Sequence, residues 1–510
     1  MPCEKVHAAA AESTPTPNFP SFSLDSLEDY DDTNAVLKEK LGSIYTDVPG
    51  FDEAYFGAVE GLKEVAAVIF DKLREHGGLL YDDQIGWHGW PENPEKQRIL
   101  EWLTAIVGKI RSLAAEDNFL TNCSPYILGR PHHLIPGSTA PRKLDTGFVG
   151  SKQVHWSNML VLGKLKQNSE MDTALRTWLD LGRYAQEVFA SQDARRFVLG
   201  FTLCGSIMRL WSFDRVGAIS STAFNINKDG SRFVMSMLGF LRMDMSELGY
   251  DSSIITTSNG IRFIEIVRYR KPERLILEKL LRRSACIVGR ATTCGKAHRE
   301  GDKSEASLVI KDSWQYPERK DEGVLLREAT DKQVVNGARY YYHGTVQVQD
   351  KDDDTQGAVR RGLDLKQGRR YRWNSNFATL DPTAKSSRGV PSTCNNTKRK
   401  RTSSHISPPG PPTKRICTGS QAESEDDPNE NRVHRRVVVR DDGVPIYKAK
   451  SCVSMLNAVV QCIEGYESLH AKTGILHGDI STGNLLLNDR ITLHSLPGLK
   501  VKQGLDLSWL

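Results

Sequence analysis

The stretch Gly474–Leu487 has the sequence GILHGDISTGNLLL, and the rest of the chain is interpreted around it. An apolar run leads into a His-Gly-Asp triplet that ends at Asp479, four residues follow, and Asn484 then opens a second apolar run. A carboxylate can accept a proton, and an amide oxygen can bind a divalent cation. This loop therefore carries two side chains that can take part in catalysis, and an active site would need further side chains from elsewhere in the chain.

A His-x-Asp triplet followed by four residues and Asn has the spacing of the catalytic loop in protein kinases. In those enzymes the aspartate accepts the proton of the substrate hydroxyl, and the asparagine holds a magnesium ion on the ATP phosphates. One position departs from the pattern, because Gly478 stands where arginine is usual. The spacing predicts Asp479 as a catalytic base and Asn484 as a metal ligand.

The composition is that of a soluble globular protein with several domains. Of its 510 residues, 39% are hydrophobic and 26% are charged. No apolar run is long enough to span a bilayer, and no apolar segment follows Met1 as in a secretory signal, so we expect no membrane association and an intracellular location. The nine cysteines form no C-x-x-C pair, which favours reduced thiols over a zinc site. The net charge of +5 is too modest to indicate nucleic-acid binding.

The periodicity of apolar residues predicts alternating helices and strands. Helical spacing indicates helices over 51–73, 95–115, 171–190, 231–243 and 454–471. Continuous apolar runs indicate strands at 159–162, 197–204, 208–213, 218–226 and 261–269. Between Leu275 and Val348 we expect a small β-rich lobe with one helix over 318–329.

Residues 287–297, with the sequence IVGRATTCGKA, lie where a kinase needs a loop over the ATP phosphates. Gly289 occupies the first glycine position of that loop, but Ala291 and Cys294 occupy the next two. A simple β-turn explains the stretch equally well.

Residues 306–311 form an apolar run that ends in Lys311, which is the pattern of the third kinase strand. A lysine there can contact the α and β phosphates as a point charge. A solvated lysine at a strand end is the alternative. On the helix predicted downstream, either Glu318 or Glu322 can pair with Lys311.

Further stretches occur together with these motifs, in one order along the chain. They are WLDLGRYAQEVFASQ at 178–192, RRF at 195–197, FDRVGA at 213–218, VGR at 288–290, IKDSW at 310–314, DEG at 321–323 and HGDIS at 477–481. From about residue 140 to its end, the chain resembles the fungal-type protein kinase domain family.

The resemblance implies a protein Ser/Thr kinase that uses ATP and Mg²⁺. It assigns Lys311 to the phosphates, Glu322 to the lysine, Asp479 to the base and Asn484 to magnesium. The fold class that we predict is mixed α/β, with an N-terminal α/β domain before a kinase-like N-lobe and an incomplete C-lobe. The segments are a disordered arm (1–50), a helical region (51–135), a mixed α/β region (136–272), the N-lobe (273–373), a disordered basic and acidic insert (374–435) and the start of the C-lobe (436–510).

Two departures from the kinase pattern argue against full activity. In the best register, Gly504 stands where the D-F-G motif has its metal-binding aspartate. The chain then stops at Leu510, before an activation segment and the helices of a C-lobe. We expect weak or no phosphotransfer from this polypeptide, and the alternative is an inactive pseudokinase that acts as a binding or scaffold protein.

A remote alternative concerns the N-terminal region. Asp145, the strand predicted at 159–163 and Lys164–Lys166 resemble the acid-and-lysine arrangement of restriction-endonuclease-like nucleases. Such sites hold a divalent metal with two acidic groups. Here Lys164 stands where the second acid belongs, so a metal would lack a ligand.

Two basic clusters lie in the predicted insert. Lys398–Arg401 and Lys414–Arg415, separated by a proline-rich spacer, have the form of a bipartite nuclear localisation signal. The alternative is a solvated basic tract that touches nucleic-acid phosphates weakly. The pattern predicts a nuclear import receptor as a partner and a nuclear or nucleo-cytoplasmic location. The sequence identifies no protein substrate.

Overall fold

The computed structural model describes residues 37–38, 41–75, 80–91, 95–120, 124–129, 133–139, 142–151, 153–302, 306–371, 430–440, 442–476, 480 and 484–487. The α-helices of this part are α1 (Phe51–Phe56), α2 (Leu62–Glu75), α3 (Lys96–Glu116), α4 (Leu179–Ser191), α5 (Gly230–Arg242), α6 (Glu322–Asp331) and α7 (Cys452–Thr473). The strands from the N-terminus are β1 (Ser43–Thr46), β2 (Tyr81–Asp82), β3 (Gly86–Trp87), β4 (Tyr126–Ile127), β5 (Thr146–Val149), β6 (Met159–Lys166), β7 (Val198–Cys204), β8 (Ile207–Phe213), β9 (Gly217–Ser220), β10 (Phe224–Asn225) and β11 (Ile254–Thr256). The later strands are β12 (Arg262–Arg268), β13 (Lys271–Arg283), β14 (Thr293–Arg299), β15 (Leu308–Gln315), β16 (Tyr340–Thr345), β17 (Gln347–Val348), β18 (Lys351–Asp352), β19 (Arg369–Tyr371), β20 (Val433–Val439), β21 (Val444–Pro445) and β22 (Leu486–Leu487). The predicted mixed α/β class is confirmed.

The N-terminal domain is built on a sheet of order β19-β1-β9-β8-β7-β6-β5-β4, with β10 also paired to β8. Strands β6 and β7 run parallel, and nearly every residue in both is buried. Their continuous apolar sequence reflects this, because a parallel pair covered on both faces has no solvent side. Helices α1, α2, α3 and α5 share one core with the sheet, which includes Tyr55, Ile69, Leu103, Phe201 and Phe240.

The second sheet is entirely antiparallel, in the order β11-β12-β13-β14-β15-β20-β16. Successive side chains of a strand point to opposite faces. Leu308 and Ile310 of β15 therefore join one apolar cluster, and Val309 joins another with Leu326 of α6. Lys311 follows two residues after Val309, so its side chain lies on the face that α6 covers.

Three predicted segment boundaries need correction. Strand β1 lies inside the arm predicted to be disordered, where it pairs with β9 and β19. Strands β11 and β12 pair with β13, so the second sheet begins at Ile254 rather than at residue 273. Strand β20 begins at Val433, within the predicted insert. Local composition misses β1 and β20 because their partners are distant in sequence, whereas β11, β12 and β13 are consecutive antiparallel strands through which the predicted border was drawn.

Several elements are confirmed and others are wrong at their ends. The helices predicted over 95–115, 231–243 and 454–471 are found as α3, α5 and α7, with ends shifted by one or two residues. The helix predicted over 51–73 is two helices, separated at Gly61 with its φ of 71°. The strand predicted at 218–226 is divided into β9 and β10. The helix predicted at 318–329 begins only at Glu322.

Helix α7 leads toward the predicted catalytic loop. Its N-terminus is capped by the Ser451 side chain, which accepts the N–H of Ser454, and it ends at Gly474 with a φ of 71°. Most of its length is exposed, because only Ala458, Cys462 and Gly465 are buried. None of the helices described is both long and apolar enough to cross a membrane.

Candidate active site

Lys311 lies in the middle of the second sheet. It belongs to β15, which follows β13 and β14 in the lobe, and its register partners are Cys294 on β14 and Val437 on β20. Both partners are buried, and with Val309 they form the apolar cluster beneath α6. The lysine side chain is therefore surrounded at its base by apolar residues, and only 12% of it is exposed.

Glu322 is the first residue of α6 and pairs with this lysine. Lys311 Nζ donates to Glu322 Oε1 over 2.5 Å. The helix starts here because the Asp321 side chain caps it by accepting the N–H of Gly323 over 2.8 Å. Burial opposes ionisation of Glu322, but the charge and hydrogen bond of Lys311, helped by Arg290, hold its pKa below the ordinary value. Glu318 precedes the helix, so Glu322 is the glutamate that contacts the lysine.

Gly323 lets α6 approach the sheet. A Cβ built at this position would lie 2.1 Å from the Cβ of His343 on β16. Carbon atoms in contact need roughly 3.5–4.0 Å, so any side chain here would push the helix outward. The short distance between Lys311 and Glu322 thus depends on a glycine one residue after the glutamate.

Arg290 is a site residue that the sequence analysis did not single out. It lies in the loop of residues 284–292 between β13 and β14, and its Nη2 donates to Glu322 Oε2 over 2.7 Å. The two oxygens of one carboxylate are therefore shared between Lys311 and Arg290. The only signal in the sequence was its place in the VGR stretch on which the resemblance rests.

Gly289 lies beside Arg290, with a φ of 120° that favours glycine. Its N–H donates to the carbonyl of Arg215 over 3.0 Å. Arg215 comes from the turn between β8 and β9 of the N-terminal domain, so this domain holds the 284–292 loop. The assignment of Gly289 to ATP remains a prediction.

The side chain of Arg215 strengthens the same connection. Its guanidinium donates to the carbonyls of Cys286 and Arg195, over 2.9 and 2.7 Å, and stacks on the ring of Phe189 at 3.9 Å. Burial lowers the pKa of Arg215 to about 10. An arginine buried this deeply, with backbone acceptors in the loop, serves to fix the loop's position.

Asn484 lies in the segment that follows the predicted catalytic loop. The next residues, Leu485–Leu487, pair with the chain just after β20, where the N–H of Ile446 donates to the carbonyl of Leu485 over 2.9 Å. Helix α7 contacts the chain between α6 and β16, since Asn336 donates to the carbonyl of Gln461 over 3.0 Å. The described residues before and after the predicted loop thus contact segments that follow α6 and β20.

The remaining predicted groups lie outside the described residues. They are Asp479 with His477 and Gly478, Gly504, and the basic clusters Lys398–Arg401 and Lys414–Arg415. The structure therefore brings together Lys311, Glu322 and the loop that holds Gly289. Their distances to Asp479 are not described.

Comparison with known proteins adds one match. A family model described as "Fungal protein kinase" matches residues 143–499, which is more than half of the chain. The chain belongs to the fungal protein kinase family. No curated protein and no solved structure matches it.

In this member of the family, lysine side chains fill the region compared with nucleases. Asp145 accepts a hydrogen bond from Lys96 Nζ over 2.5 Å and lies 3.4 Å from Lys164 Nζ. Lys164 also contacts Asp180 at 3.1 Å and Tyr184 at 3.0 Å. Ammonium groups occupy the space between the two carboxylates where a divalent metal would bind, so the arrangement suits a structural ion-pair cluster.

One group of three metal-ligating side chains occurs in the part of the chain that the structure describes: Asp251, Asp312 and His434. Arg436 donates to Asp312 over 2.7 and 2.8 Å and to Asp251 over 3.2 Å. Burial opposes its charge, but Asp312 and Asp251 raise the pKa of Arg436 above the ordinary value. A permanent cation thus already contacts both carboxylates, and the group serves as a structural junction.

Proposed function

We propose that this fungal protein kinase binds Mg-ATP at Lys311 and transfers the γ-phosphoryl group to a serine or threonine of a protein. The observation that carries the proposal is the 2.5 Å ion pair between Lys311 and Glu322. A strand lysine held by a helix glutamate is required in protein kinases for a productive ATP complex. The cationic donors here fit a polyphosphate, since ammonium and guanidinium groups are its usual ligands.

The chain's own residues divide the work. Lys311 binds the α and β phosphates, and Glu322 fixes the orientation of the Lys311 ammonium group. Asp479 accepts the proton of the substrate hydroxyl, and Asn484 holds magnesium on the nucleotide. The metal, when bound, neutralises charge on the phosphate oxygens.

The test compares wild type with Lys311→Met and Asp479→Ala in a thermal-shift titration with Mg-ATP and in a phosphorylation assay. Wild type should be stabilised by ATP, by about 2.7 kcal/mol at a hundredfold excess over Kd. Lys311→Met should lose most of this shift. Asp479→Ala should keep it and lose turnover by roughly 10²–10⁴-fold.

Lys332→Met is the matched control for the lysine. Lys332 lies just after α6, is exposed, and pairs with Glu328 on that helix. Its replacement should leave both the thermal shift and the turnover unchanged. Equal phosphorylation by wild type and Asp479→Ala would remove Asp479 from its role.

A second candidate is a pseudokinase that binds ATP and serves as a scaffold. Gly504 at the D-F-G position favours it, because the second magnesium-binding acid is then missing. A thermal shift with Mg-ATP but no phosphorylation of any protein by wild type would support this candidate.

The basic clusters support a separate proposal on location. Lys398–Arg401 and Lys414–Arg415 bind a nuclear import receptor and direct the kinase to the nucleus. A fluorescent fusion should be nuclear and should leave the nucleus when the six basic residues are changed to alanine. An unchanged distribution would refute the signal, and salt-sensitive DNA binding by the clusters would favour the nucleic-acid alternative.

A further inference from the structure

We infer that Arg290 is a phosphate-binding residue of the nucleotide site, and that its guanidinium takes the place of the engaged Gly289 amide. The inference deepens the proposed function and rests on it. Arg290 lies in the 284–292 loop, which occupies the place of the kinase phosphate loop in the order of the chain.

The first argument is that two backbone N–H groups of this loop, including that of its glycine, are already engaged. The Gly289 N–H donates to the carbonyl of Arg215, and the Ser284 N–H donates to the carbonyl of Thr292. The carbonyl of Arg290 accepts the N–H of Trp314 over 2.8 Å. A phosphate loop normally offers free amides. Here the Gly289 amide is not free, and the cationic side chain of the next residue can supply positive charge in its place.

The second argument is the charge at the site. Lys311 and Arg290 share the carboxylate of Glu322, one on each oxygen, so the three groups carry one net positive charge. Arg290 is 48% exposed, whereas Lys311 is 12% exposed. An ion pair as open as that of Arg290 contributes little to stability, so its guanidinium can leave the carboxylate for a stronger anion.

The third argument is geometry. The Arg290 backbone is fixed on both sides, by Arg215 at Gly289 and by Trp314 at its own carbonyl. Because the main chain is fixed, the guanidinium lies at the same Glu322 carboxylate as Lys311. Its planar fork can bind two phosphate oxygens at once, which an ammonium cannot do. A polyphosphate bound at Lys311 therefore meets a second, pre-positioned cation.

The experiment measures binding of Mg-ATP, Mg-ADP and adenosine to the full chain by calorimetry, for wild type, Arg290→Gln and Arg290→Lys. Arg290→Gln should weaken ATP at least about tenfold, the loss expected for one charge-assisted hydrogen bond, and leave adenosine unchanged. Arg290→Lys should recover part of the loss, since it restores charge without the fork.

Arg274→Gln is the matched control. Arg274 lies on β13 of the same sheet, is 50% exposed, and pairs with Glu265 over 2.8 Å. Its replacement removes an arginine about as exposed as Arg290 from an Arg–Glu pair and should not change ATP affinity. Wild-type ATP affinity in Arg290→Gln, or an equal loss for ATP and adenosine, would overturn the inference while leaving the proposed function intact. Absence of ATP binding by wild type would overturn both.

Discussion

Replacing Gly323 by alanine tests whether the close approach of α6 creates the site. The added Cβ would lie 2.1 Å from the Cβ and 2.3 Å from the Cγ of His343. His343 cannot yield easily, because its strand is paired with β20, where it lies opposite Val437. The helix must therefore move away from the sheet.

The size of the effect follows from these distances. Carbon contacts need roughly 3.5–4.0 Å, so the N-terminus of α6 must shift by about 1.5 Å. A shift of that size stretches the 2.5 Å contact between Lys311 and Glu322 toward the limit of an ion pair. Forced overpacking costs about 1–3 kcal/mol, and the better helix propensity of alanine returns up to about 1 kcal/mol. We expect a net loss of about 1–2 kcal/mol and a roughly tenfold weaker affinity for Mg-ATP.

The assay is urea unfolding followed by circular dichroism, with hydrogen exchange of α6 as a local readout. Gly108→Ala is the control, because Gly108 lies within α3 and a Cβ there meets nothing within 4 Å. That variant should gain about 0.5–1 kcal/mol. If Gly323→Ala behaved like Gly108→Ala, with unchanged exchange in α6 and unchanged ATP affinity, the close approach would have no role in forming the site.

Three further predictions concern single side chains. Glu322→Gln should cost less than about 1 kcal/mol at pH 7, because the pair is partly exposed. Since the pKa of Glu322 is lowered, the wild-type advantage is complete above the ordinary carboxyl pKa and disappears as pH falls through the lowered value. The urea curves of the two proteins should therefore differ at pH 7 and converge as acid takes the pH below that lowered value. Asp214→Ala should lower the free energy of urea unfolding by about 3–5 kcal/mol, because it leaves Arg360 buried without the carboxylate that it contacts at 2.6 and 3.0 Å. The control Asp83→Ala removes an exposed ion pair and should change this free energy by less than about 1 kcal/mol. Tyr55→Phe should lower the free energy of unfolding by about 1 kcal/mol, because the hydrogen bond that the Tyr55 hydroxyl donates to the carbonyl of Val359 is lost. Burial raises the pKa of Tyr55 to about 12, so wild type should lose this advantage over the variant as pH rises from 10 to 12 in the same assay.

The sequence predicted the elements that are determined locally. Lys311 and Glu322 are eleven positions apart, on a strand and on the helix that follows it. A run of apolar residues and a capped helix start are visible in such a short window, so both side chains could be identified as candidates. The helix ends were less accurate, because Asp321 is the cap and Glu318 belongs to the turn before it.

The contacts that depend on distant partners were not predictable from one sequence. Arg290 in a polar loop is indistinguishable from a solvated arginine until the fold brings Glu322 to it. Arg215 follows an apolar strand and shows no periodic signal for its contacts with Cys286 and Ile287, which lie more than seventy residues later. Strand β1 was assigned to a disordered arm because its partner β9 is remote in sequence.

These long-range contacts explain why the predicted border between the α/β region and the N-lobe is not a functional border. Arg215 fixes the loop that carries Arg290, and Asp251 binds Arg436, which in turn holds Asp312 next to Lys311. Asp312 points to the opposite face of β15 from Lys311, so anchoring one orients the other. The N-terminal domain therefore supports the proposed nucleotide site through two sets of contacts. The match of one family model to residues 143–499, across that border, agrees with a single functional unit.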